Sequence, residues 1–261
     1  MTLGDDLSVL LEPLGALARD AGAAIMEIYR SDFRVDAKTD ASPVTEADLC
    51  AERLILAGLQ RITPDIPVIS EEAAASGVLP ALQGRRFWLV DPLDGTKEFV
   101  RRNGEFTVNI ALIVDGQPLV GVLYAPAQDR LFLGSPGLAL AEEGGQPARP
   151  VRCRAAPSGG LVVLSSRSHR DPERFAAFLQ SMPVAETRHS GSSLKFALIA
   201  AGEADLYPRC GRTMEWDTAA GHAILLAAGG IVTDLERQPL IYGKPGYENP
   251  PFLAWGQSPC R

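Results

Sequence analysis

The stretch 88-WLVDPLDGTKEF-99 carries two aspartates three residues apart, Asp91 and Asp94, with Pro92 between them and Gly95-Thr96 directly after. Acidic residues stand at the ends of expected strands or helices at Asp48, Glu71-Glu72, Asp91, Asp94 and Asp217. In layered α/β folds ligands gather at such ends. Carboxylates that converge repel one another: two unit charges about 4 Å apart cost roughly 4 kcal/mol at an effective dielectric of 20. A hard divalent cation removes that cost, and an all-oxygen set without histidine favours magnesium over zinc. The chemistry to expect is a metal and phosphate site.

Each position also has a purely structural reading. Asp48 can close a Thr-x-x-Asp capping box with Thr45. Glu71-Glu72 can be a solvated loop pair, Asp91 and Asp94 turn formers, and Asp217 a favourable charge at a helix start. Only their conjunction favours chemistry.

The elements that must position them follow from periodicity. Leu14, Leu17, Ala18, Ala21, Ile25 and Ile28 mark one face of a first helix, and Ala51, Leu54, Ile55, Gly58, Leu59 and Ile62 that of a second, opened by residues 45–48. The runs 67-PVIS-70 and residues 87–90 read as strands, the second ending abruptly at Asp91 in a turn stiffened by Pro92. Runs 107-TVNIALIV-114 and 119-LVGVLYAP-126 flank Asp115-Gly116, a strong hairpin signal. Residues 131–133 and 138–141 add strand, and 142-EEGGQPARP-150 has the composition of a connection between domains. In the second half, residues 161–164, 206–207 and 231–233 read as strands. Residues 175–179, 194–201 and 217–228 read as helices, the last stopping at Gly229-Gly230. The expectation is an α/β chain, an α+β sandwich of alternating helix and sheet layers. It divides into an α+β metal-binding domain, 1–145, and an α/β domain, 146–261, that completes the substrate site.

Bulk properties narrow the class. With 261 residues and 46% hydrophobic side chains the chain has ample core for one large or two small domains. The net charge of −7 argues against long nucleic acid as a partner, but a bound metal and a few placed cations still allow a small phosphorylated substrate. No apolar run nears the roughly 18 residues that span a bilayer, and 1-MTLGDDLSVLLEPL-14 lacks the basic start of a signal peptide. Cys50, Cys153, Cys210 and Cys260 are scattered, with no CxxC pair. A cytoplasmic protein with reduced thiols is expected, without an obligate protein partner.

The strings 42-SPVTEAD-48, 71-EE-72, 91-DPLDGT-96 and 216-WDTAAG-221, in this order over nearly the whole chain, resemble the inositol monophosphatase superfamily of magnesium-dependent, lithium-sensitive phosphatases. The resemblance implies a layered sugar-phosphatase fold and two or three Mg2+ ions. It implies that Glu71, Asp91, the Leu93 carbonyl and Asp94 ligate metal, and Asp217 a second metal. Asp48 and the Thr96 hydroxyl would orient and deprotonate the attacking water, with Glu71 also counted in the catalytic set, and Glu72 would support the site. Gly95 would let the backbone approach the phosphate, the amides of Gly95 and Thr96 donating to its oxygens at a helix start. Glu71, Leu93, Asp94, Gly95, Thr96 and Asp217 would thus also line the substrate.

A second resemblance concerns the substrate. The strings 97-KEFVRRNGEFTVNIAL-112, 165-SSRSH-169, 191-GSSLKF-196 and 205-DLYPRCG-211 resemble the CysQ-type branch, the 3'(2'),5'-bisphosphate nucleotidases. That branch removes the 3'-phosphate of adenosine 3',5'-bisphosphate, a by-product of sulfate activation, to leave AMP. Its members are sometimes assigned to the cytoplasmic face of the inner membrane, although this sequence shows no anchor. A bisphosphate needs cations for the phosphate that is not cleaved, and Lys195, Arg209 and His169 can supply donors with Ser192 adding a hydroxyl. Inositol phosphatases place an acidic residue where Arg209 stands. Lys195 and Arg209 can equally be solvated charges and His169 a cap or surface residue. His189 and His222 match no catalytic role and are assigned to structure. The alternative activity is an inositol monophosphatase or another sugar phosphatase of the same fold.

Overall fold

The computed structural model describes residues 6–37, 43–80, 82, 85–167, 172–180 and 182–257. A short 3-10 turn, Leu7–Leu10, leads into α1 (Leu11–Tyr29), which packs antiparallel to α2 (Glu46–Ile62) across the two-stranded ribbon β1 (Val35–Ala37) and β2 (Pro43–Thr45). The α1 stripe of Leu14, Leu17, Ala18, Ala21 and Ile25 is buried as its period demands. On α2, Ala51, Ile55, Gly58 and Leu59 are buried, but Leu54, expected on the same face, is 39% exposed.

The first sheet has seven strands: β3 (Val68–Ser70), β4 (Arg86–Asp94), β5 (Thr107–Val114), β6 (Gln117–Ala125), β7 (Arg130–Ser135), β8 (Leu138–Glu143) and β9 (Arg149–Pro150), in that spatial order. Only β3 and β4 are parallel. Alternation sorts their side chains: Trp88, Val90, Ile110 and Val122 face α1 and α2, while Phe87, Leu89, Ala111 and Leu123 join the core beneath the second half of the chain. The hairpin at Asp115-Gly116 has φ of 53° and 76°, both positive as a type I′ turn requires.

The stretch 142–150, expected as an interdomain connection, instead folds back as a hairpin that pairs β9 with β8. The glycines turn the chain, and the polar tail then satisfies a sheet edge.

The second sheet has five strands, ordered β11 (Val184–Ser190), β10 (Leu161–Ser166), β12 (Leu206–Arg209), β16 (Phe252–Trp255) and β14 (Ile231–Asp234). Beside it lie the short pair β13 (Thr213–Met214) and β15 (Glu248–Asn249). Helix α6 (Leu194–Ala200) and helix α7 (Glu215–Ala227) fill the space between the two sheets, and α5 (Pro172–Leu179) covers the outer face of the second. The remaining helices, α3 (Glu71–Ala75) and α4 (Thr96–Val100), are single turns on the ends of β3 and β4. The result is a helix–sheet–helix–sheet–helix stack. Glycine sets the spacing of its centre: a Cβ at Gly121 would lie 2.3 Å from the Ala220 carbonyl, and one at Gly134 2.6 Å from the Ile224 Cα. The sheet therefore admits α7 at backbone contact, which fixes the depth of the residues on its first turn.

Candidate active site

Strand β4 does not stop at Asp91. It continues to Asp94 through an irregularity in which Asp91 pairs with Asn109 and Asp94 with Thr107, two residues on one strand against one on the other. The extra residue turns the strand without ending it, so Pro92 sits in a bulge and not in a free turn. Within the bulge the Leu93 amide donates to Asp91 Oδ1 at 3.1 Å. Gly95 follows with φ of 92°, a left-handed conformation that favours glycine, and α4 begins at Thr96.

Two further carboxylates reach this bulge from helix starts. Glu71 is the first residue of α3, directly after β3, the parallel neighbour of β4. Asp217 lies in the first turn of α7, where Oδ2 accepts the Met214 amide at 2.8 Å. Glu72, beside Glu71, is buried. Burial pushes the Asp91 carboxyl well above the usual carboxylate range, and the charges of Glu71, Asp94 and Asp217 push it further, with Glu71 hydrogen-bonded to it. Burial likewise raises Asp217 strongly, followed by the repulsion of Asp94 and Glu71. Burial lifts Asp94 to about 6, although Lys195 and the Ser193 amide oppose the rise.

Four carboxylates that destabilise one another's charge, with only oxygen donors among them, fit a hard divalent cation. They stand as neighbours and not as a closed cage: among the described residues no group of three or more acidic, imidazole or thiol side chains surrounds a single metal-sized point.

Asp48 has two jobs at once. Its Oδ2 accepts the Thr45 amide at 2.8 Å and the Thr45 hydroxyl at 2.7 Å, closing the box at the start of α2. Its Oδ1 accepts the Thr96 hydroxyl at 3.2 Å, and the same hydroxyl lies 3.3 Å from the Leu93 carbonyl. The capping reading and the catalytic reading of Asp48 are thus compatible, one per carboxylate oxygen.

The cations of the second half converge on the same cleft, which has a volume of about 630 Å3. Lys195 and Arg209 are 2% and 7% exposed, so neither is a solvated surface charge. Lys195 Nζ donates to the carbonyls of Ser190, at 3.1 Å, and Ser192, and lies 4.9 Å from the Tyr207 ring centre. Burial pulls it down to about 8 against the attraction of Asp94. Arg209 donates from Nε to the Gly211 carbonyl at 3.2 Å and from Nη2 to the Arg212 carbonyl at 3.0 Å. Ser192 is held at φ of 48° and lines the cleft. His169 lies outside the described residues. His222 is in the core, its Nδ1 2.9 Å from the Tyr242 hydroxyl.

Sequence reasoning missed the residues that hold these loops together. Glu105 pairs with Arg167 through two contacts of 2.7 Å and accepts the Gly191 amide at 2.8 Å, joining the approach to β5 to the loop before α6. Ser193 donates its hydroxyl to Asn109 Oδ1 at 2.8 Å. Trp216 and Tyr247 form part of the cleft wall. The polar residues inside the apolar run 107-TVNIALIV-114 were the one available signal, since a buried Asn or Thr needs partners.

The sequence profile described as the inositol monophosphatase family matches residues 6–256. The chain is 48% identical over 246 residues, 93% of its length and 98% of the relative's, to the 3'(2'),5'-bisphosphate nucleotidase CysQ of Escherichia coli K12. Among solved structures it superposes on CysQ from Bacteroides thetaiotaomicron with a TM-score of 0.78 at 36% identity, covering 95% of this chain and 97% of that one. An inositol monophosphatase from Anabaena gives a TM-score of 0.72 at 27% identity, covering 95% and 91%.

Proposed function

The chain belongs to the inositol monophosphatase family, and we propose that within it this protein is a 3'(2'),5'-bisphosphate nucleotidase, releasing phosphate from adenosine 3',5'-bisphosphate to leave AMP. The observation that carries the reading is the pair Lys195 and Arg209, buried in the same cleft as the acidic cluster. The carboxylates beside them, Asp94 next to Lys195 and Asp217 next to Arg209, are the ones assigned to metal, and once metal takes their charge the two buried cations call for another anion. A substrate with a second phosphate supplies it, whereas the single phosphate of an inositol monophosphate is taken up at the metal site. The near-full-length similarity to CysQ relatives supports the same choice.

Glu71, Asp91, the Leu93 carbonyl, Asp94 and Asp217 would hold two or three magnesium ions, with Glu72 supporting them. When bound, magnesium supplies charge neutralisation for the transferring phosphoryl group and for the attacking and leaving oxygens. The protein's own part begins at Thr96. Its hydroxyl accepts a proton from the attacking water while passing its own to Asp48 Oδ1, the oxygen it already meets at 3.2 Å. Thr45 fixes the other oxygen of Asp48, so the accepting atom cannot rotate away. The amides of Gly95 and Thr96, at the start of α4, would donate to the phosphate. Lys195 and Arg209 would bind the phosphate that stays, with Ser192 and His169 beside them. A cytoplasmic location belongs to this reading; it rests on the free thiols of Cys50 and Cys153 and on the nucleotide substrate. Among the described residues no helix is long and apolar enough to cross a membrane.

The test is phosphate release with magnesium from adenosine 3',5'-bisphosphate, AMP and inositol 1-phosphate, side by side, with and without lithium. The bisphosphate should be strongly preferred and lithium should inhibit, as in the family. Preference for inositol 1-phosphate would replace this reading with a sugar phosphatase.

A further inference from the structure

The groups assigned so far account for both phosphates of the proposed substrate and leave its base without a contact. We infer that Tyr247, backed by Trp216, is the platform on which the base stacks. The inference rests on the nucleotidase reading and adds a subsite to it.

The cleft wall mixes polar and apolar groups: besides the carboxylates, Lys195 and Arg209, it includes Ala75 at the end of α3, Leu79 after it, Trp216 on α7 and Tyr247. The two rings lie 6.1 Å apart at 38°. Trp216 is 6% exposed and acts as backing, while Tyr247 is half-buried and fronts the cleft.

Tyr247 is held there against its own backbone preference. Its φ is 55°, a left-handed conformation that a bulky residue rarely adopts, and Gly246 before it is at 79°. Such strain persists only where the surroundings impose it, and it clusters at ligand sites. Here the surroundings are identifiable. Buried Glu215 accepts the Gly243 amide at 2.6 Å, the Lys244 amide at 2.9 Å and Lys244 Nζ at 2.6 Å. At the other end Asn249 Nδ2 donates to the Met214 carbonyl at 2.8 Å and to Thr218 Oγ1 at 3.0 Å. The segment 243–249 is therefore strapped at both ends to the first turn of α7, which carries Trp216 and Asp217. One rigid turn then fixes a carboxylate and an aromatic wall relative to each other.

A flat heterocycle suits such a wall, and stacking on an aromatic ring is tolerant of base identity because every base presents a π-face. Replacing adenine by guanine should therefore cost less than deleting the base.

The experiment measures kcat and KM for wild type, Tyr247→Ala, Tyr247→Leu and Tyr247→Phe. The substrates are adenosine 3',5'-bisphosphate and its abasic analogue, 1-deoxyribose 3,5-bisphosphate, which keeps the 2-hydroxyl. AMP affinity is followed by calorimetry in the same buffers. Tyr247→Ala should lower kcat/KM on the nucleotide about 10- to 100-fold, mainly through KM, with a parallel loss of AMP affinity. The abasic substrate should change less than about twofold, Tyr247→Leu should recover only part of the loss, and Tyr247→Phe should match wild type. If Tyr247→Ala slows both substrates equally, or neither, the platform is overturned while the nucleotidase reading stands. If wild type releases no phosphate from the nucleotide, the nucleotidase reading falls and the platform falls with it.

Discussion

The backbone amide of Ser193 donates to the carboxylate of Asp94, joining residues that lie 99 positions apart in the chain. Through this bond the loop that carries Ser192, and the start of α6 with Lys195, are registered on the bulge that carries Asp91, Leu93 and Asp94. The Ser193 hydroxyl extends the link, donating to Asn109 Oδ1 and standing 2.8 Å from Thr107 Oγ1 on β5. Asn109 and Thr107 are the cross-strand partners of Asp91 and Asp94. Ser193→Ala leaves the Asn109 oxygen buried without that donor, and a stranded buried polar group costs about 1–3 kcal/mol. Chemical denaturation should show a loss of that size. Unchanged stability would mean the network does not brace the bulge.

The Thr96–Asp48 contact makes a kinetic prediction. The hydroxyl is proposed to act on the water and not on the phosphate, so Thr96→Ala should lower kcat on the order of 10²–10⁴-fold. KM should change little. Normal turnover with a raised KM would assign Thr96 to substrate binding instead.

The mutual repulsion of the acidic cluster separates stability from activity. Burial first, then Glu71, Asp94 and Asp217, disfavours the charged form of Asp91. Its folded pKa is raised, so its contribution to stability is present at low pH and is lost as pH rises. Asp91→Asn should therefore leave the protein in chelator at neutral pH as stable as wild type or more so. It should also abolish most activity and weaken the thermal shift on adding magnesium. Full turnover of wild type in excess chelator would sink the metal assignment.

How much of this could be read beforehand depends on whether a position is set locally or by the fold. The α1 stripe, the Asp115-Gly116 hairpin and the box at Thr45–Asp48 are local, and the residues state them. The continuation of β4 past Asp91 is not local, because Pro92 and two aspartates read as a turn and only pairing with β5 keeps them in the sheet. Leu54 matched a helical period yet faces outward, since no layer lies over that edge of α2. Strand β11 was missed because 184-VAETRHS-190 is polar and mostly exposed at the sheet edge, with no alternation to reveal it. The acidic strings were legible as carboxylates with nearby partners. Glu105, Ser193 and Tyr247 were not, because their partners come from distant strands and loops.

His222 predicts an acid limit to stability that is independent of metal. Burial beside Tyr242 pulls its imidazole down from 6.5 to about 3. The unfolded chain takes up a proton near pH 6.5 that the folded chain refuses until about pH 3. The His222 contribution to stability is therefore full above pH 6.5 and falls as pH drops through that window, by about 2 kcal/mol at pH 5. His222→Phe cannot titrate, and Tyr242 keeps Thr218 at 3.2 Å. The difference in unfolding free energy between variant and wild type should shift by about that amount between pH 7.5 and 5. Parallel pH curves would show that His222 titrates normally in the folded state.

The last prediction concerns which phosphoester is chosen. Arg209 is buried against the carbonyls of Gly211 and Arg212, and its charge is felt at Lys195. Each charge-assisted bond to a second phosphate is worth roughly 1.5–3 kcal/mol, so losing one should cost about 10- to 100-fold in kcat/KM on the bisphosphate. Adenosine 3'-monophosphate never makes the contact and should lose little. Arg209→Gln tests the loss alone. Arg209→Glu goes further, because it repels the uncleaved phosphate and restores the acidic residue that the resemblance associates with inositol phosphatases. It also faces two carbonyl oxygens that the guanidinium now satisfies, so its folding must be checked by thermal melt beside Arg209→Gln. With both folded, the ratio of kcat/KM for bisphosphate over monophosphate should fall in Arg209→Gln and fall further in Arg209→Glu, and inositol 1-phosphate should gain relative to both. An equal fall on all three substrates would make Arg209 a support of the fold, and the specificity argument would lose its cation.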